Sequence, residues 1–230
     1  MGGGIKMSDD NFNLSYWYKK RYINPEEVWE KLNGLHLEGR KIKRMKFIGL
    51  CYNFTEYEIE DAAYSGLKNL PEEERQLKSN YDNIDPETEF DREVSIDEPF
   101  LIQFEDGDVF EIETPIESNF CIGMNTIPWG ARAETNLPNI DANVLFSDCI
   151  GQVIKKVEVN TFITDEEPLF REKFDEEPFK RELVSDVALY LENGLVIDIS
   201  GFFDYCEVGC YESEDRCSKI TFEELKKGMI

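Results

Sequence analysis

The sequence predicts an α+β protein dominated by antiparallel strands, made of two related β-rich halves with a short helix near each end. Three observations lead there. Gly39-Arg40-Lys41-Ile42-Lys43-Arg44-Met45-Lys46-Phe47 returns as Gly151-Gln152-Val153-Ile154-Lys155-Lys156-Val157-Glu158-Val159. Each copy is followed by an apolar run, an acidic turn and a second apolar run: Phe100–Gly107 with Val109–Ile112, then Val187–Gly194 with Val196–Ile199. Self-similarity of this kind is the mark of an internal duplication. Finally, both copies break alternation at the same place. Met45 and Phe47 alternate while Ile42 stands three before Met45, and Val157 and Val159 alternate while Ile154 stands three before Val157. A matched break predicts a β-bulge in each strand.

The elements follow in order. Residues 1–34 read as a loose leader and a short helix. Asn24 is placed to cap it, Pro25 suits its first position, Glu26 and Glu27 meet the positive end of its dipole and Gly34 is placed to stop it. Val28, Trp29 and Leu32 are expected to dock on the body. Residues 35–117 form the first half, interrupted by a polar insertion at 64–98 that reads as a solvated acidic loop. Asp106-Gly107 and Asn193-Gly194 predict tight hairpins, since both dipeptides accept positive backbone angles. Residues 118–141 read as a Pro/Asn-rich crossing segment. Residues 142–230 hold the second half, closed by a helix for which Thr221 and Glu224 form a capping box and Gly228 the stop. Asp97-Glu98-Pro99, Asp165–Pro168 and Asp175–Pro178 read as charged, proline-blocked strand entries that discourage edge pairing. The whole is expected to be one compact unit.

Composition narrows the function classes. The formal net charge is −24 over 230 residues, and Phe54–Glu98 alone carries 15 acidic and 4 basic residues. Such acidity repels phosphates, which argues against nucleic-acid binding and favours a basic protein partner. No apolar run is long enough to span a bilayer, so a soluble, cytoplasmic protein is the expectation.

The chemistry-bearing residues form no recognisable catalytic set. His36 is the only imidazole, which excludes mechanisms needing two. No phosphate loop, nucleophile elbow or zinc-protease signature occurs. Cys206, Cys210 and Cys217 have spacing that fits no common zinc site and read as loop thiols, whereas Cys51, Cys121 and Cys149 sit in apolar surroundings typical of core thiols. Neither cofactor nor metal is expected. Trp129, beside Pro128 and Gly130, reads either as an aromatic anchor in an interface or, more simply, as a ring pinned on the core.

These observations predict a non-enzymatic acidic binding protein that docks on or neutralises a basic protein, in the manner of a toxin-immunity protein. Glu72, Glu73, Glu74, Asp82, Asp85 and Trp129 are the candidate interface. An enzyme or small-ligand binder with a site in the cleft between the halves is the alternative, and a structural or regulatory module the third.

Overall fold

The structure, a computed structural model, describes residues 21–22, 24–48, 51–52, 84–96, 99–116, 119–131, 141–166, 179–202, 205–214 and 216–228. Within these, strand β1 (Arg21–Tyr22) precedes helix α1 (Pro25–Gly34), and β2 (Ile42–Phe47) and β3 (Cys51–Tyr52) follow. Next come β4 (Glu89–Asp91), β5 (Glu93–Ile96), β6 (Phe100–Phe104), β7 (Val109–Ile116) and β8 (Asn119–Met124). Helix α2 (Ala142–Leu145) and a 3-10 turn (Ser147–Cys149) lead into β9 (Ile154–Glu166), β10 (Phe179–Leu191), β11 (Val196–Phe202) and β12 (Tyr205–Ser213). The chain closes with β13 (Arg216–Cys217), β14 (Lys219–Thr221) and α3 (Phe222–Lys226). The fold is mostly antiparallel β with a few short helices.

Two sheets enclose one apolar core. The first runs β1-β8-β7-β6-β2 and the second β3-β5-β12-β11-β10-β9, so each contains a four-stranded meander laid out in the same order. Alternation sends Met45, Phe47, Ile102, Phe110 and Ile122 inward from one, and Val187, Leu189, Ile197, Val208 and Ile96 inward from the other, into one cluster. Phe47, Phe100 and Phe146 pack with ring centroids 5.3–6.0 Å apart.

The sheets join at a corner through reciprocal bonds. Gly39 N–H donates to the Ile154 carbonyl and Gly151 N–H to that of Ile42, both at 2.8 Å. Ile42 N–H donates to Gln152 (2.9 Å) and Ile154 N–H to Arg40 (3.0 Å). Lys41 and Val153 face each other in an isolated antiparallel bridge at the centre. The outer edges are treated alike: the Met45 N–H donates to the Asn143 side chain (2.8 Å), the Val157 N–H to the Glu38 carboxylate (3.2 Å). Side-chain caps of this kind occupy edge donors that would otherwise invite another strand.

Both expected bulges are present. Along β2–β6 the register passes from Ile42↔Phe104 to Arg44↔Gln103, leaving Lys43 extra; along β9–β10 it passes from Ile154↔Leu191 to Lys156↔Tyr190, leaving Lys155 extra. Gly39 (φ 82°) and Gly151 (φ 81°) turn the chain just ahead of these strands. A Cβ at Gly151 would meet nothing within 4 Å, so only backbone strain opposes one. Gly151→Ala and Gly39→Ala are each expected to cost about 1–2 kcal/mol, read as matching falls in urea midpoint.

Several expectations are corrected. The hairpin turns take positive φ only at Gly107 (99°) and Gly194 (91°); Asp106 and Asn193 do not. Gly107 N–H donates to Phe104 O and Phe104 N–H to Asp108 O, and Leu191–Leu195 repeats the pattern. These are three-residue loops with glycine in the left-handed place, and Asp106 and Asn193 instead accept from the N–H two residues on. The acidic insertion is not a loop throughout: residues 84–96 carry β4 and β5, with Phe90, Val94 and Ile96 buried, because their apolar alternation supplies a strand to β12. Residues 64–83 lie outside the described residues. The crossing segment begins late, since Phe120 and Ile122 alternate inward and make 119–124 a strand of the first sheet. Residues 132–140, the leader through residue 20 and the acidic prolines at 168 and 178 lie outside the described residues, as do Asp97 and Glu98.

The helices fare better. Asn24 accepts from Glu27 N–H at 2.8 Å, and Thr221 with Glu224 forms the capping box. Helix α1 buries Val28 and Leu32 but leaves Trp29 54% exposed. One residue beyond Val28 is about 100° around the helix, which carries the indole off the docked face. His36, at φ 50°, makes the left-handed turn after α1 rather than Gly34. Among the described residues no helix is long and apolar enough to cross a membrane.

Candidate functional site

The outward face of the second sheet concentrates carboxyl groups. Strand pairing lays out two neighbouring rows: Glu158, Ala188, Asp198, Gly209 and Glu93 in one, Asn160, Asp186, Ser200, Glu207 and Ser95 in the next. Residues one register step apart across a pair are diagonal neighbours within reach of each other. Asp186 therefore meets Asp198, and Glu93 meets Glu207. Tyr190 and Tyr211 border the rows on the side of the hairpin turns.

Like charges packed this closely cannot all ionise. Burial, followed by the negative charge of Asp186 and a hydrogen bond with it, pushes Asp198 up to about 8; Glu207 and Glu93 add to the effect. Burial and then Glu93 push Glu207 up to about 7. Near neutral pH Asp198 therefore keeps a proton beside Asp186, and Glu207 is partly protonated beside Glu93. Around them, Asp186 accepts from Asn160 Nδ2 and Ser185 Oγ, both at 2.6 Å. Tyr211 donates its hydroxyl to Glu93, and burial followed by this bond pushes its phenol up, keeping it protonated. Glu158 is held ionised by Lys156 and then Tyr190, whose phenol its hydrogen bond pushes up to about 12. Among the described residues no three His, Cys, Asp or Glu side chains converge as a metal site does.

The first sheet shows what such a face looks like when covered. The corresponding row there is Lys46, Leu101, Glu111 and Gly123. Residues 125–131 fold back across it. Glu111, fully buried, accepts from the N–H groups of Thr126 (2.5 Å) and Ile127 (2.6 Å) and from the Thr126 hydroxyl. Lys46 Nζ donates to the carbonyls of Trp129 (2.9 Å) and Ala131. Ile127 and Ala131 complete a second apolar cluster with Ile48, Leu101, Val109 and Cys121. Among the described residues no equivalent cluster lies on the second sheet's outer face.

Of the candidate residues read from the sequence, only Asp85 and Trp129 are among the described residues. Glu72, Glu73, Glu74 and Asp82 lie outside the described residues. Asp85 is exposed and accepts from Glu87 N–H at 3.0 Å in the turn before β4. Trp129 is half-buried against the second cluster with the Arg44 guanidinium 4.1 Å from its ring centroid, the pinned position of the two considered. The sequence reading missed Asp186, Asp198, Glu207, Glu93 and Glu158. A signal existed: Asp198 interrupts Val196-Ile197-Asp198-Ile199 as Glu111 interrupts Val109-Phe110-Glu111-Ile112, each an acid at an outward strand position with glycine opposite.

Trp29, Leu32, Asn33, His36, Leu37, Glu38, Val157 and Val159 line a groove of about 330 Å³ between α1 and the edge of β9. Among the described residues, apolar side chains of both sheets meet in one buried cluster between them. Comparison with protein-family models, curated proteins and solved structures found no match.

Proposed function

We propose that this chain is a non-catalytic acidic binding protein, that its two meanders are copies of one duplicated unit related by a pseudo-twofold axis through the Lys41–Val153 bridge, and that the outer face of the second copy docks a basic protein partner. The reciprocal bonds at the corner, the paired bulges and the matched glycine turns support the duplication. One observation carries the docking: equivalent acids stand in both copies, and where Glu111 receives donors from a returning segment of its own chain, Asp198 has another acid beside it.

A lysine or arginine set between Asp186 and Asp198 replaces the shared proton with a fixed positive charge, so binding at neutral pH releases protons. The net charge of −24 speeds encounter with such a partner and makes the rate fall as salt rises. A guardian against a basic nuclease-type toxin is the most concrete form of this reading.

Capture of basic proteins from the native host tests it, with the wild type and the Asp198→Asn/Glu207→Gln variant compared at low and high salt. A basic protein held by the wild type at low salt, lost at high salt and held at least tenfold more weakly by the variant is the expected result. Equal retention by both proteins counts against this face, and a salt-insensitive partner counts against the electrostatic reading.

A further inference from the structure

Cys206, Cys210 and Cys217 do not behave as the set of loop thiols their spacing suggests. Cys206 and Cys210 are fully buried in β12. The close thiol pair is a different one. Cys149 and Cys210, separated by 61 positions, are both fully buried with their sulfurs 3.5 Å apart. Both stand on fixed backbone. Cys149 ends the 3-10 turn, its N–H donating to Phe146 O at 2.9 Å. Cys210 N–H donates to Arg92 O (2.9 Å), and its carbonyl accepts from Ser218 N–H (2.8 Å) and from the Cys217 thiol (3.3 Å). Cys217 thus directs its hydrogen at a carbonyl, not at the Cys210 sulfur.

We propose that Cys149 and Cys210 are an oxidation site, at which hydrogen peroxide joins the two thiols as a disulfide fastening the turn before β9 to the middle of β12. The surroundings give the two sulfurs different parts. Arg92, buried and paired with Asp148 at 2.6 Å, lends positive charge. The hydrogen bond from Cys149, then Ser218 and the Arg92 charge, hold the Cys210 thiol below its usual value against burial and Asp148, while the same bond and burial push Cys149 up. Cys210 is the sulfur that reacts first. Its thiolate attacks one peroxide oxygen; the O–O bond breaks, a sulfenic acid forms, and the departing hydroxide takes up a proton to become water. The Cys149 sulfur then attacks Cys210 Sγ and gives up its proton. The S–O bond breaks, water leaves, and the S–S bond forms. Two thiols are oxidised and one peroxide is reduced to two waters. The sulfurs close from 3.5 Å to about 2 Å, a movement within side-chain reach. Burial restricts the reaction to a small oxidant.

Peptide mapping of the unmodified full chain decides the matter and requires no variant. The chain is treated with hydrogen peroxide, blocked with maleimide in denaturant, digested without reduction and analysed by mass spectrometry. A Cys149–Cys210 linked peptide, lighter by two hydrogens and abolished by dithiothreitol, is expected. Closing a loop of this length should also raise the thermal midpoint by about 5–15 °C, reversibly on reduction, with no rise in Cys149→Ser. Recovery of both residues as maleimide adducts, or linkage of Cys210 to Cys217 instead, overturns the proposal.

Discussion

Asp198→Asn is expected to stabilise the protein by about 2–4 kcal/mol at pH 9 and to change it little at pH 4. Asparagine copies the shape of the protonated acid without the capacity to ionise. In the folded chain Asp198 holds its proton up to about 8, against its ordinary value of 3.8. The native state thus binds more protons than the unfolded chain between these limits, and stability falls as pH rises through that window, flattening beyond it. Glu207, raised to about 7 from 4.5, acts with the same sign. The groups acting most strongly on Asp198 are Asp186 on β10, Glu207 on β12 and Glu93 on β5, all of them acids. Asp108, held low by Arg40 and then Asn125, acts oppositely and only in acid, where its contribution disappears as pH falls through its lowered value. Denaturant midpoints for both proteins at pH 4, 7 and 9 provide the measurement. A variant equally shifted at every pH, or less stable at pH 9, would refute the shared-proton account of this face.

Glu111→Ala should have the opposite sign and destabilise the protein. Removing the carboxylate leaves the Thr126 and Ile127 N–H groups and the Thr126 hydroxyl without their acceptor and opens a cavity beneath residues 125–131. The expected loss is about 2–4 kcal/mol. Because the same segment carries Trp129 under the Arg44 guanidinium, its indole should become more exposed and its emission move to longer wavelength, a change absent when Trp129→Phe is already present. Glu111→Gln, which keeps one acceptor oxygen, should fall between the two. An alanine variant with native emission and an unchanged midpoint would mean that Glu111 does not hold the segment down.

How much of this was legible in the sequence differs by element. The bulges at Lys43 and Lys155 could be read because a bulge breaks strand periodicity, and periodicity is a local property. The hairpins and both helix caps could be read for the same reason: Asp106-Gly107, Asn193-Gly194, Asn24 and Thr221 act within a few residues of themselves. Strand β8 escaped notice because Phe120 and Ile122 are followed by Gly123 and by asparagine and proline, which together resemble a loop. The exposure of Trp29 turned on one step around a helix. The acidic rows were hardest to see. Asp186, Asp198, Glu207 and Glu93 come from four strands, and only the register of β10, β11, β12 and β5 places them side by side. With 49 acidic residues, no local feature separates those four from the remainder.

The corner where the sheets meet has a mechanical consequence. Each meander's entry turn is clasped by the first strand of the other, through Gly39 with Ile154 and Gly151 with Ile42. Neither sheet can peel away there alone, since the rupture strips both partners of the same bonds at once. Heat or force applied to one lobe is therefore shared by its neighbour, and the pair yields together, as two hands gripping each other's wrists let go in a single event.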